Sequence, residues 1–232
     1  MTNHIAHNLD IVRQQLAAAC TACGRSPEDV TLVAVSKKQP VEALEAAFAA
    51  GQREFGENYA QEFAAKQNAL AHSHPDLRLH YIGSLQSNKA KLVAGRTTLL
   101  HTVDRAKILN TVNRLAAEAN VVQEILFEVH LSPEESKAGC RPDQLPELLT
   151  MALQLPAIRP RGLMTMPPWD LEAEEARPYF AELRKLRDSL AARFALPDFN
   201  QLSMGMSHDF PVAIAEGATI VRVGTAIFGP RT

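Results

Sequence analysis

Two lysines, Lys37 and Lys38, stand where the apolar run Leu32-Val33-Ala34-Val35 approaches Pro40. The plain account is a strand reaching water, since lysines are almost never fully buried. The chemical account is an amine at the mouth of a site. To act as a nucleophile, a lysine must lose its proton, which from a pKa of about 10.4 requires desolvation or a neighbouring cation. Alternation along a strand that is apolar on both faces does not choose between Lys37 and Lys38.

A second group of residues has the composition of an anion cradle. Ser203-Met204-Gly205-Met206-Ser207 and Gly224-Thr225 are rich in small residues with accessible backbone amides. Such amides bind phosphate in nests and at helix starts. The alternative is that these residues only make tight turns. Between the two parts of this cradle lies Arg222, inside the otherwise apolar run TIVRVGTAIF. A guanidinium is rarely buried without a partner. It either faces a ligand or forms a structural ion pair across the fold, with Asp104 or Glu57 as candidate partners. An amine opposite a phosphate cradle is what pyridoxal 5'-phosphate (PLP) requires.

Other suggestive residues have simpler readings. Cys20 and Cys23 have redox or metal-like spacing but fall on an amphipathic helix with no second pair, so core packing is expected. His72 and His74 read as surface loop residues, and Cys140 as a partly exposed thiol without a role. Trp169 reads as a loop-packing residue or a cover for the site. Glu134-Glu135 and Glu174-Glu175 read as solvated faces.

The elements that must position these residues alternate along the chain. Ile5, Leu9, Val12, Leu16 and Cys20 have helical spacing, and Gly24 supplies a stop. Strands are expected at 31–36, 53–55, 79–82, 98–102, 122–129, 158–163, 199–203 and 219–223. Helices are expected near 41–50, after GENYAQEF, from Ser84, and near 104–119, 143–153, 172–194 and 208–216. Strands alternating with helices build parallel sheets by right-handed crossovers. Eight such units suit a single α/β (β/α)8 TIM barrel with an extra N-terminal helix, and a doubly wound open sheet is the runner-up. In such a barrel the site lies at the C-terminal ends of the strands. Lys37, Asn58, Ser84, Met166, Ser207 and Gly224 all fall there.

Bulk properties narrow the function classes. The chain has 232 residues, 46% hydrophobic and 22% charged, with a formal net charge of -2. No basic block supports nucleic-acid or membrane-surface binding, and no apolar run approaches the roughly 20 residues of a membrane helix. Three cysteines argue against a disulfide framework, so a reducing, cytoplasmic setting is expected.

Taken together, the stretches AVSKKQP, FGENYAQE, HYIGSLQSNK, HTVDR, SKAGC, RGLMTMPP and LSMGMSHDFPVAIAEGATIVRVGTAIFG run from about residue 31 to 229. With them the chain resembles the pyridoxal phosphate homeostasis protein family, single-domain relatives of the alanine racemase barrel (fold type III). The resemblance implies that Lys37 carries PLP as a Schiff base and that Arg222 faces the pyridine nitrogen. It implies phosphate contacts from Ser203, Gly224 and Thr225, with Met204 and Ser207 beside them. Asn58, His80 and Met206 are implied to line the cofactor. An arginine stays protonated and does not readily hand its proton to the ring, so the ring would be a weak electron sink.

The resemblance further implies one domain over residues 1–232 without the C-terminal β-domain that supplies a catalytic tyrosine in the racemases. Tyr59, Tyr81 and Tyr179 are the only tyrosines, and none matches a catalytic position of the family's motifs. The expected function is intracellular PLP homeostasis, as a monomer that buffers the cofactor or passes it to PLP-dependent or PLP-synthesising enzymes. A PLP-dependent racemase or related proton-transfer enzyme is the alternative. An interaction protein that holds no cofactor is a third reading.

Overall fold

Valine- and isoleucine-rich runs form strands because branched side chains pack well on a pleated surface. The first, Thr31–Val35 (β1), follows the N-terminal helix Thr2–Ala22 (α1). After it come Val41–Ala49 (α2), Glu54–Glu57 (β2), Ala60–Leu70 (α3), Arg78–Tyr81 (β3), Leu100–Val103 (β4) and Ala106–Glu118 (α4). The second half contains Gln123–Glu128 (β5), Leu145–Leu153 (α5), Ile158–Met164 (β6), Arg177–Phe194 (α6), Gln201–Ser203 (β7), Phe210–Ala215 (α7), Ile220–Val223 (β8) and Thr225–Phe228 (α8). These come from a computed structural model that describes residues 2–132, 138–168 and 170–229. Glu134, Glu135, part of the SKAGC motif (Ser136 and Lys137) and Trp169 lie outside the described residues.

The eight strands close into a barrel in chain order, β1 through β8 and back to β1. Every pairing is parallel, and the closing pair sets Val33 against Arg222. The open-sheet alternative is therefore excluded. Val33, Leu99, Leu126, Met164 and Ile220 form a small buried cluster of their own. A much larger cluster, including Phe55, Phe63, Phe127 and Phe180, joins the strands to the surrounding helices. Two side-by-side features tune this packing. The β5–β6 register slips between Ile125 and Leu126, and Gly162 (φ 154) comes so close to β7 that an added Cβ would lie 1.9 Å from the Gln201 carbonyl oxygen.

Helix α1 buries Ile5, Leu9, Val12, Leu16 and Cys20. It is tied to the end of the chain by Asn8 Nδ2 donating to the Ile227 carbonyl (2.9 Å). Cys20 is a core residue as expected, whereas Cys23 is exposed. Cys140 is buried, not partly exposed. Its thiol donates to the Glu128 carbonyl (3.3 Å), and burial pushes its pKa up to about 12. One expected helix is absent: between β3 and β4 the chain makes only a 3-10 turn, Ala90–Leu92. Ala90, Val93 and Ala94 do have the i, i+3, i+4 spacing of a helix face and are buried with Leu85, but the regular helix does not extend beyond this one turn. Among the described residues, no helix is long and apolar enough to cross a membrane.

Candidate functional site

The end of β1 is fixed before Lys37 is reached. Ser36 donates its backbone N–H to the Gly56 carbonyl (3.0 Å) and its hydroxyl to Glu57 Oε1 (2.6 Å). Lys66, on α3, donates to the Ser36 carbonyl and to Glu57 Oε1, both at 2.7 Å. Beyond Lys37 the chain turns through Lys38 with φ 61, the left-handed region that side chains disfavour. The Lys38 amide donates to Glu62 Oε2 (2.7 Å), which holds that turn. The result separates the two lysines: Lys37 lines a cavity, and Lys38 is exposed.

The cavity has a volume of about 400 Å³ and sits at the C-terminal rim of the barrel, within the usual range for a small-molecule site. Its walls are Val35, Lys37, Asn58, Ile82, Met166, Met206, Ser207, His208, Arg222, Gly224 and Thr225. Six expected residues thus converge with Lys37: Asn58, Met206, Ser207, Arg222, Gly224 and Thr225. Three do not. Met204 is fully buried in the packed core. Ser203 and His80 are buried within the barrel and absent from the cavity wall. Both are already engaged with other side chains, His80 with Glu54 and His101, Ser203 with His101 and Arg222. Ser203 thus reaches the cavity only through Arg222, and His80 faces Glu54 and His101. A larger hollow of about 540 Å³ lies on the outside, between Arg187 and Asn200, away from every one of these groups.

Backbone geometry shapes the rim at the ends of β7 and β8, beside β1. Gly205 has φ 90, and a Cβ there would lie 2.6 Å from Ala213 Cβ. The following turn is held by Asp209, whose Oδ1 accepts from the Met206 amide (2.5 Å). At Gly224 a Cβ would come within 3.2 Å of the Val35 carbonyl oxygen. Thr225 then opens α8, so its first amides have no intrahelical acceptor. On the β2 side, Asn58 Oδ1 is buried without a hydrogen-bond partner. The Tyr81 hydroxyl donates to the Asn58 carbonyl (3.2 Å), and burial pushes that phenol up to about 12.

Arg222 is 4% exposed. Its Nη1 donates to Ser203 Oγ (2.6 Å) and its Nη2 to the Thr165 carbonyl (3.0 Å). Neither Asp104 nor Glu57 pairs with it as expected from sequence. Asp104 pairs with Arg105 (2.5 Å) and Glu57 with Lys66 (2.7 Å). Burial lowers the guanidinium to about 10, against the pull of Asp209 and Glu128, so it remains a cation near neutral pH. Burial, reinforced by Asp104, raises the Glu128 carboxyl to about 7. Glu57 is also raised by burial, with Lys66 pulling the other way. Among the described residues, no group of three or more His, Cys, Asp or Glu could hold a metal ion.

Sequence reasoning did not single out Lys66, Glu128 or His101 for a role. Lys66 carried one signal, its spacing of four residues from Glu62 on α3. Glu128 carried another, as a carboxylate near the end of the most apolar strand. His101 begins the HTVDR stretch.

The chain's similarity to known proteins agrees with this geometry. Residues 2–232 match the model for "Alanine racemase, N-terminal domain". The chain is 44% identical over 225 residues to the pyridoxal phosphate homeostasis protein of Aquifex aeolicus, covering 96% of each. It is 43% identical to the Escherichia coli K12 protein of that name, covering 99% of this chain and 97% of the other. The chain belongs to the pyridoxal phosphate homeostasis protein family. A solved structure of the Synechococcus elongatus PCC7942 protein PipY with PLP bound is 40% identical with a TM-score of 0.86, covering 97% of this chain and all of that one. Alanine racemase from Corynebacterium glutamicum shares the fold alone, at 16% identity and a TM-score of 0.74, and the match spans 62% of its length. The family's shared barrel is thus the part of the racemase that this chain reproduces.

Proposed function

We propose that this chain holds pyridoxal 5'-phosphate in the rim cavity and serves intracellular PLP homeostasis, buffering the cofactor or passing it to enzymes that use or make it. One observation supports this above the others: a single cavity is lined by one lysine amine, one buried arginine and a rim of small residues. The residues fit the group. Lys37 offers a primary amine, Ser207, Gly224 and Thr225 surround a space suited to a phosphate, and Asn58 brings an unsatisfied buried oxygen. When bound, PLP supplies an aldehyde carbon that condenses with a primary amine and a pyridine ring that accepts electrons. Arg222 keeps its proton while donating, so it orients the ring nitrogen without protonating it. Val35, Ile82, Met166 and Met206 would supply the apolar wall around the ring.

In this reading the protein works as a cytoplasmic monomer and keeps the cofactor without turning it over. The racemase alternative is not favoured, because likeness to the racemases is at fold level whereas likeness to the homeostasis proteins runs along nearly the whole chain. Titrating purified protein with PLP while recording the visible spectrum tests the proposal. A new absorption band that borohydride abolishes is expected. A protein that takes up no PLP refutes it.

A further inference from the structure

A chain of polar side chains runs through the barrel from the cavity to the opposite end. Arg222 Nη1 meets Ser203 Oγ at 2.6 Å. Ser203 Oγ meets His101 Nδ1 at 2.9 Å. His101 Nε2 meets His80 Nδ1 at 2.9 Å, and His80 Nε2 meets Glu54 Oε2 at 2.8 Å. His80, His101, Ser203 and Arg222 are all buried. Glu54, the first residue of β2, is paired on its other oxygen with the exposed Arg78 (2.9 Å). Buried polar residues are costly unless satisfied, and four of them in series across a small barrel require a reason.

The protons can be placed by elimination. Arginine only donates, so Ser203 Oγ accepts from it and has its own proton to give to His101 Nδ1. A neutral His101 that accepts at Nδ1 carries its hydrogen on Nε2 and must donate to His80 Nδ1. His80 then carries its hydrogen on Nε2 and donates to the Glu54 carboxylate. Each group spends each proton once, and every bond points from Arg222 toward Glu54. The competing arrangement makes His80 an imidazolium that donates in both directions. It leaves the Ser203 hydroxyl proton without an acceptor among the described residues, at a fully buried position. Burial, with His80 and Arg222 nearby, holds the His101 imidazole well below its ordinary range, which keeps that ring neutral.

We infer that Glu54, His80, His101 and Ser203 are positioning residues that aim Arg222 at the ring of the cavity's ligand, anchored by a carboxylate at the far end of the barrel. The inference rests on the PLP-holding reading of the cavity. Hydrogen bonds in series polarise one another, so the Glu54 charge strengthens Ser203 as an acceptor. It also fixes which guanidinium hydrogens remain for the ligand. Glu54 is absent from the cavity wall, so its hydrogen-bonded route to the ligand runs through the two histidines.

Two measurements test this. In ¹⁵N-histidine-labelled protein without PLP at neutral pH, His80 and His101 should each show a protonated Nε2 and a bare Nδ1. The His101→Asn and His80→Asn variants assign the signals. An imidazolium at His80, or a proton on His101 Nδ1, overturns the inference whether or not PLP binds. In PLP titrations, Glu54→Gln and Ser203→Ala should each weaken binding about three- to tenfold and shift the absorption maximum of the bound cofactor. The double variant should be no weaker than the worse single to within about twofold, because residues of one network do not act additively. Additive losses, or a Glu54→Gln protein with unchanged affinity and spectrum, overturn it. If wild-type protein takes up no PLP, the reading of the cavity fails instead, and the nitrogen measurement still decides the proton arrangement.

Discussion

The ammonium of Lys66 lies 2.7 Å from the carbonyl oxygen of Ser36, the residue that precedes Lys37. A buried cation on α3 thus clamps the strand end from which the cavity's amine projects. The same ammonium meets Glu57 at 2.7 Å, with side-chain exposures of 6% and 0%. Removing one partner of a buried pair leaves the other charge uncompensated, at a cost of about 3–5 kcal/mol. Lys66→Met should lose stability of that order in urea denaturation and should also hold PLP more weakly. A loss below about 1 kcal/mol, the scale of an exposed pair, would show that the clamp contributes little.

Borohydride treatment of PLP-loaded protein, followed by peptide mapping, should place the pyridoxyl group on Lys37. Lys37→Ala should lose the visible band and the adduct. Lys38→Ala should retain both, because the Lys38 side chain is exposed. An adduct on Lys38 or Lys89 would overturn the assignment.

Pyridoxal lacking the phosphate should bind about 10- to 100-fold more weakly than PLP, the scale of losing one hydrogen bond to a charged group. Competition titrations of the two aldehydes measure this. Equal affinities would mean that the small-residue rim at Ser207, Gly224 and Thr225 does not grip the anion.

Glu128 gives the fold a pH dependence. Its carboxyl sits at about 7 in the folded chain against an ordinary 4.5. Between these values the folded state binds a proton that the unfolded state has lost, so stability falls as pH rises through that window. The contribution is on the order of 3 kcal/mol, fully present below pH ~4.5 and lost above ~7. Glu128→Gln should flatten this part of the urea-derived stability profile. If the profile of the variant overlays that of the wild type, Glu128 is not the titrating group.

The barrel was legible because its signals are local and repeated. Apolar runs such as Val122–Val129 and helical spacings such as Phe180, Leu183 and Leu190 each point to one element. The β3–β4 link was misread because Ala90, Val93 and Ala94 have helical spacing, yet the chain there makes only one 3-10 turn. In the site, Lys37 against Lys38 was undecidable from alternation, since what separates them is a left-handed turn held by Glu62, whose side chain lies on another element. Ser203 and His80 were expected beside the ligand, and the structure places both one step behind the cavity wall. Their motifs mark the strand ends, whereas their positions are set by pairing with His101, a partner that only the closed sheet brings within reach.

The closing pair of the barrel also bears on how the protein matures. Val33 and Arg222 stand side by side in the β1–β8 register, so the amine on the first strand and the cation on the last meet only when nearly the whole chain has been synthesised. Contacts of such sequence separation are slow to form. A chain emerging from the ribosome can therefore assemble β1 through β7 and still have no cavity to offer. Capture of the coloured ligand then reports ring closure, and a chain truncated before β8 would be colourless however well its helices form.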